Sequence, residues 1–193
     1  MQPLSQNDLL SLETYARQRG DFRTRVLAHK RDRKVRVGEH VTLLFEDRLT
    51  IQYQVQEMLR AEKIFEPEGI AEELAAYNPL IPDGVNLKCT MLIEYDDAEV
   101  RKRELLRLRN IEHDVQLVVG DRAPVKAIAD EDLPRSDEQK TAAVHFLRFE
   151  LDAAMAADFK RGRPVTFRIG HPNYHAEVQL TEAQQNALAA DFD

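Results

Sequence analysis

The amino-acid sequence predicts an α+β fold: an antiparallel sheet with helices packed mainly on one face, and a long central helix. Three observations carry this. Candidate strands are separated by both hairpins and helices, with no regular βαβ alternation. Leu87, Cys89, Met91, Ile93 and Tyr95 alternate as one face of a strand. The run after Asp47 meets no Pro or Gly until Pro67, which suits an unbroken helix. With 193 residues, 43% hydrophobic and 32% charged, the chain fits a single globular domain over 1–193 with a helical basic N-terminal segment at about 5–36.

In chain order, Ser5 and Asp8 form an S-x-x-D capping signature, so a first helix is expected to open there and break near Gly20. A second helix is expected from Phe22 toward Arg31. Val35 and Val37 precede a turn at Gly38, and Val41 to Glu46 then reads as a strand with Val41, Leu43 and Phe45 on one face. After the central helix, Pro67 suits the first turn of another, with Ile70, Leu74 and Tyr77 on its apolar stripe. Leu87 to Tyr95 is a strand, and Asp96 or Asp97 starts a helix to about Arg109. Val115 to Val119 and Val125 to Ile128 flank Gly120 and Asp121 as a hairpin. Residues 130–140 are dense in charge and read as a solvated loop. Val144 to Leu151 is a strand, a short helix follows Asp152, and Val165 to Ile169 pairs with Tyr174 to Leu180. Thr181 and Gln184 cap a final helix.

The central helix is unusual because polar residues interrupt its apolar arc. Run from Arg48 to about Phe65, it would be about 27 Å long. Ile51, Val55, Met58, Leu59 and Phe65 gather on one side, yet Arg48, Gln54 and Glu62 fall within or beside that arc, with Glu62 near its centre. A carboxylate among apolar neighbours needs a partner, so Glu62 is expected either in a buried ion pair or in a site. Gln52, Gln56, Arg60 and Lys63 are expected to face solvent. Gln54, Glu57 and Glu62 could supply hydrogen-bonding or acid–base groups, with Arg48 or Arg60 holding an anion.

The last hairpin offers a second constellation. If Ile169 opposes Tyr174, Arg168 opposes His175 and reaches Glu177 diagonally. His171, His175 and Glu177 are the weak candidates for a metal, since imidazole and carboxylate suit zinc or iron. No Glu-x-x-His pair occurs on an expected helix, which disfavours a di-iron bundle.

Composition narrows the function classes. Cys89 is the only cysteine, so no internal disulfide or thiolate cluster can form within one chain, and no cofactor is expected. No apolar run is long enough to span a membrane, and the start MQPLSQNDLL lacks a signal-peptide pattern, so the expected location is cytoplasmic. The net charge of −7 is uneven: nine basic side chains between residues 17 and 36 face only Asp21 and Asp32. That segment could meet an acidic protein, a second subunit or nucleic acid, but no aromatic interleaving or nucleic-acid motif accompanies it. Glycine-rich phosphate loops, HExxH, CxxC and nucleophile-elbow patterns are absent.

The segments FEDRLT, QVQEMLRAE, YNPLIP, LIEY and HPNY, in this order across nearly the whole chain, resemble a bacterial family of unknown function. The resemblance implies genes beside rubrerythrin and an iron–sulfur-cluster oxidoreductase, and hence a rubrerythrin-like or iron–sulfur protein as partner. The leading expectation is a non-enzymatic accessory protein of a redox or peroxide-handling system. A small-ligand or metal-dependent enzyme using the long helix and C-terminal hairpin is the alternative, with a nucleic-acid-binding regulator third. A homodimer is compatible with each.

Overall fold

The computed structural model describes residues 1–136 and 140–192, so the expected loop at 130–140 lies partly outside the described residues. The fold is α+β. In chain order the elements are α1 (Leu12–Arg31), β1 (Lys34–Val37), β2 (Val41–Phe45), α2 (Arg48–Glu62), α3 (Pro67–Tyr77) and β3 (Asn86–Ile93). There follow α4 (Ala98–Arg107), β4 (Val115–Val119), β5 (Val125–Lys126), β6 (Ile128–Ala129), β7 (Val144–Glu150), α5 (Ala153–Lys160), β8 (Val165–His171), β9 (Tyr174–Gln179) and α6 (Glu182–Ala189).

The single sheet expected from the sequence is two antiparallel sheets, ordered β1-β2-β3-β7-β6 and β5-β4-β8-β9. Their apolar faces meet. Val35, Leu43, Phe45, Cys89, Met91 and Phe149 of the first pack toward Val115, Leu117, Val165, Phe167 and Ile169 of the second. Phe167 is the bridge, with ring centroids 5.2 Å from Phe45 and 5.4 Å from Phe149. The strand expected from Val125 to Ile128 is divided, because the chain changes sheets at buried Ala127, whose N–H donates to Val115 O. Leu108 near the end of α4, Phe159 of α5 and Leu188 of α6 complete this core.

Helices α1, α2 and α3 form a lobe with its own apolar contacts. Ile51, Val55 and Leu59 of α2 meet Leu74 of α3, Ile81 and Leu4. The opposite side of α2 meets α1, where Tyr53 stacks on Phe22 with centroids 6.0 Å apart. The expected helix from Ser5 is a short 3-10 turn, Gln6–Asp8, and α1 starts after it with Ser11 as N-cap. No break occurs at Gly20. Its position is exposed, and burial of Tyr15, Phe22 and Val26 on either side outweighs the roughly 1 kcal/mol a mid-helix glycine costs.

One corner fastens the lobe to the sheets, and a second fastens the two sheets to each other. Arg33, 2% exposed, donates to the carbonyls of Phe45, Glu46 and Ala187 and to Asp191 Oδ2 at 2.5 Å. Asp47 Oδ2 lies 3.5 Å from Arg33 and 2.5 Å from His29 Nε2. Burial resists ionisation of Asp47, but Arg33, the Thr50 N–H and His29 together hold its carboxyl below its ordinary range. Burial wins at Asp191, which is pushed up to about 6 despite Arg33. At the second corner Tyr174 Oη donates to Val37 O at 2.7 Å and accepts from His40 N–H at 3.0 Å. Gly38 makes this approach possible: its φ is +74°, and a Cβ there would stand 2.5 Å from Tyr174 Oη.

Candidate functional site

Because the inner face of β2 carries Val41, Leu43 and Phe45, alternation turns Thr42, Leu44 and the following Glu46 to the outer face of the five-stranded sheet. Glu46 N–H donates to Lys88 O at 2.9 Å, extending the ladder by one residue and fixing its side chain above β3. The partner strands place Lys88 opposite Arg148 and Thr90 opposite Phe146. Above this surface lie Met58 of α2, Ala75, Ala76 and Tyr77 of α3, and Pro79 and Leu80. Between lobe and sheet is a mainly apolar cleft of about 650 Å³.

The polar groups of the cleft are mostly occupied. Lys88 Nζ donates to Pro79 O at 2.7 Å and Ile81 O at 2.9 Å, tying the turn after α3 to the sheet, and burial lowers its pKa. Arg148 makes two hydrogen bonds to Glu131 and another to Glu150. Those bonds hold Glu131 below the usual carboxylate range. Burial, with Glu73 nearby, raises the Tyr77 phenol. Glu46 is different. It is 3% exposed, Oε1 accepts from Thr90 Oγ1 at 3.1 Å, and Oε2 is occluded with no hydrogen-bond partner among the described residues.

The residues singled out in the sequence do not converge. Arg48 binds Asp8 at 2.6 Å and Gln2 O, securing the N-terminal segment. Glu57 accepts two bonds from Arg19, at 2.7 and 2.6 Å, and one from Tyr15 Oη at 2.6 Å, which lower its pKa to about 2. Gln54 is half-buried, with an occluded Oε1 that has no hydrogen-bond partner among the described residues. Arg60 is exposed.

Glu62 is a correction. The expected helix end at Ile64 or Phe65 comes earlier, because Lys63 takes the left-handed conformation, φ 55°, and donates to Leu59 O. Glu62 is therefore the last helical residue, exposed, and Phe65 is 69% exposed outside the helix. Gln56, expected in solvent, is fully buried: Oε1 accepts from Leu10 N–H at 2.6 Å and Nε2 donates to Leu10 O at 3.2 Å. The N-terminal segment covers the side of α2 that sequence periodicity left open.

The hairpin is also shifted. Ile169 opposes Ala176, not Tyr174, because the turn is only Pro172 and Asn173, and Arg168 directly opposes Glu177 with their side chains 3.3 Å apart. His175 and Glu177 lie exposed on one face, whereas His171 is buried on the other, with Nε2 donating to Arg109 O. These three side chains cannot share an ion.

A different cluster has ligand-like spacing. Ligand atoms of Glu112, Asp130 and His145 lie within 4.8 Å of one another. However, His145 Nδ1 donates to Asp130 Oδ2 at 2.6 Å, and Nε2 faces Ala142 O at 3.1 Å and Thr141 Oγ1 at 2.8 Å. Both ring nitrogens are thus already engaged by protein groups and neither is turned toward an ion site. Ser136 and Thr141 hydroxyls satisfy Glu112. The arrangement is a closed polar network at the rim of the sandwich. Sequence reading missed both this network and Glu46; for Glu46 the available signal was strand alternation placing a carboxylate on the face of Thr42 and Leu44.

The profile of a family described as "Protein of unknown function (DUF3501)" matches residues 3–192. A crystal structure described as a novel protein of unknown function from Burkholderia pseudomallei K96243 is similar over 100% of both chains, at 50% sequence identity and a TM-score of 0.94. No curated protein matches the chain.

Proposed function

Since this chain belongs to the DUF3501 family of proteins of unknown function, we propose its role from the cleft: it binds a small, largely apolar molecule between the helical lobe and the outer face of the five-stranded sheet. The observation that carries this is an apolar cavity with one unpartnered buried acceptor at its floor, the usual composition of a small-molecule site. Binding is favoured over catalysis because Lys88 and Arg148 are committed to structural partners, and no nucleophile–base pair lines the cleft among the described residues. The test uses Nile red, a neutral dye whose fluorescence rises in apolar surroundings. Saturable, blue-shifted emission is expected, and it should be lost in Ala76→Trp, which fills the cleft from an exposed helical position. Unsaturable emission, or equal emission from a folded Ala76→Trp variant, would overturn the reading.

The accessory role in a redox or peroxide-handling system is a second proposal. The feature favouring it is the exposed basic face of α1, with Arg17, Arg23, Arg25 and Arg31 outward. The partner proposed is a rubrerythrin-like or iron–sulfur protein with an acidic surface. Titration of such a partner should give binding that weakens with salt and with Arg23→Glu/Arg25→Glu; binding indifferent to both would count against it. Cytoplasmic placement is proposed with it; no helix among the described residues is long and apolar enough to cross a membrane.

A further inference from the structure

We infer that the cleft ligand carries a protonated amine beside an apolar body, with Glu46 as its counter-ion. This rests on the cleft being a ligand site and specifies the chemistry it selects. A carboxylate removed from water requires a cation or donated hydrogen bonds. Among the described residues the Glu46 carboxylate receives one bond, from the neutral Thr90 hydroxyl, and Oε2 receives none. Each nearby cation is turned away from it. Lys88 Nζ donates to two carbonyls of the lobe, Arg148 is engaged by Glu131 and Glu150, and Arg33 reaches only the main-chain carbonyl of Glu46.

The remaining wall reinforces this polarity. Glu73, Glu131 and Asp132 join Glu46 against Lys88, Arg148 and the Arg135 that grips Asp132, still an acidic excess, which disfavours a carboxylate or phosphate ligand. A bare divalent cation is a poor fit, because calcium or magnesium needs six or more oxygens about one point, and among the described residues no three carboxylates of the cleft lie within ligand spacing of one another. An ammonium with an attached hydrocarbon matches both parts: its charge is countered by the Glu46 carboxylate at the cleft floor, and the chain lies against Met58, Ala76, Leu80 and Phe146.

The test measures displacement of Nile red by n-octylamine, n-octanol and octanoate at neutral pH, three molecules of one chain length with cationic, neutral and anionic heads. The protonated amine is expected to displace the dye at an at least about tenfold lower concentration than the alcohol, as charge-assisted hydrogen bonding predicts, with octanoate weakest. In Glu46→Gln the amine-to-alcohol ratio should approach one. The ratio in the unaltered protein decides the matter even where the variant does not fold. Equal displacement by all three overturns the amine inference while leaving the cleft reading intact, and preference for octanoate reverses it. Absence of saturable dye binding removes both.

Discussion

Replacing Asp191 by Asn tests whether burial or pairing governs the corner that joins the chain's end to β2. The carboxyl is raised from 3.8 to about 6, with burial the leading cause, Arg33 opposing it and Asp47 adding to it. A rise of about two pKa units corresponds to about 3 kcal/mol between ionising this group in the folded and the unfolded chain. Below the unfolded value near 3.8 the group is neutral in both states, and its favourable contribution is fully present. As pH rises through about 6 that contribution is lost. Asn cannot ionise, and its amide oxygen can still accept from the Arg33 NH2 group that now bonds Oδ2 at 2.5 Å. Urea unfolding of both proteins at about pH 4 and about pH 7.5 gives two stability differences, in which the other carboxylates cancel. The Asn variant should gain by up to about 3 kcal/mol relative to the parent between those values. A difference that does not change with pH, or a parent that gains as pH rises, would refute the claim that desolvation exceeds the attraction of Arg33.

Three further outcomes are expected. Phe167→Ala removes the ring shared by Phe45 and Phe149 and should cost about 3–5 kcal/mol by chemical denaturation, since neither neighbour can fill the space from its own strand. Gly38→Ala should lower Tm and loosen the Tyr174 bonds to Val37 and His40, visible as faster amide exchange at His40; an unchanged Tm would show that the corner yields without strain. Glu57→Gln removes the charge that Arg19 and Tyr15 grip, for a loss of roughly 1–3 kcal/mol at neutral pH. Because the Glu57 pKa is depressed to about 2, its contribution is present above its ordinary value of 4.5 and disappears on acidification toward 2, so the gap between parent and variant should close at low pH.

Local signals in the sequence located most elements. Asp47 caps α2 and Thr181 caps α6 as their side chains suggest, and the alternation at Leu87–Ile93 is β3. Local chemistry is sufficient for these caps, whose interacting groups are three residues apart, although the same kind of signature at Ser5–Asp8 opens only a 3-10 turn. It fails where the partner is distant. Gln56 looks solvent-facing because its hydrogen-bond partner, Leu10, is 46 residues earlier. Alternation told which residues of a strand share a face, but not that a second sheet would cover that face. The Arg168–Glu177 contact was legible despite a shifted register, since both residues remain on the same side of the hairpin. Glu46 was ambiguous because a carboxylate after a strand usually reaches water; only the lobe folding over it makes it a buried acceptor.

The guanidinium of Arg33 finds its carboxylate 158 residues farther along the chain. During synthesis the arginine leaves the ribosome long before Asp191 is made, and until then only Asp47 and the carbonyls of Phe45 and Glu46 can face its charge. The junction between β2 and α2 therefore consolidates late, while hairpins such as β8–β9 can form from residues already at hand. Nascent chains halted before α6 should expose this junction to protease, and chains extended past Asp191 should close it.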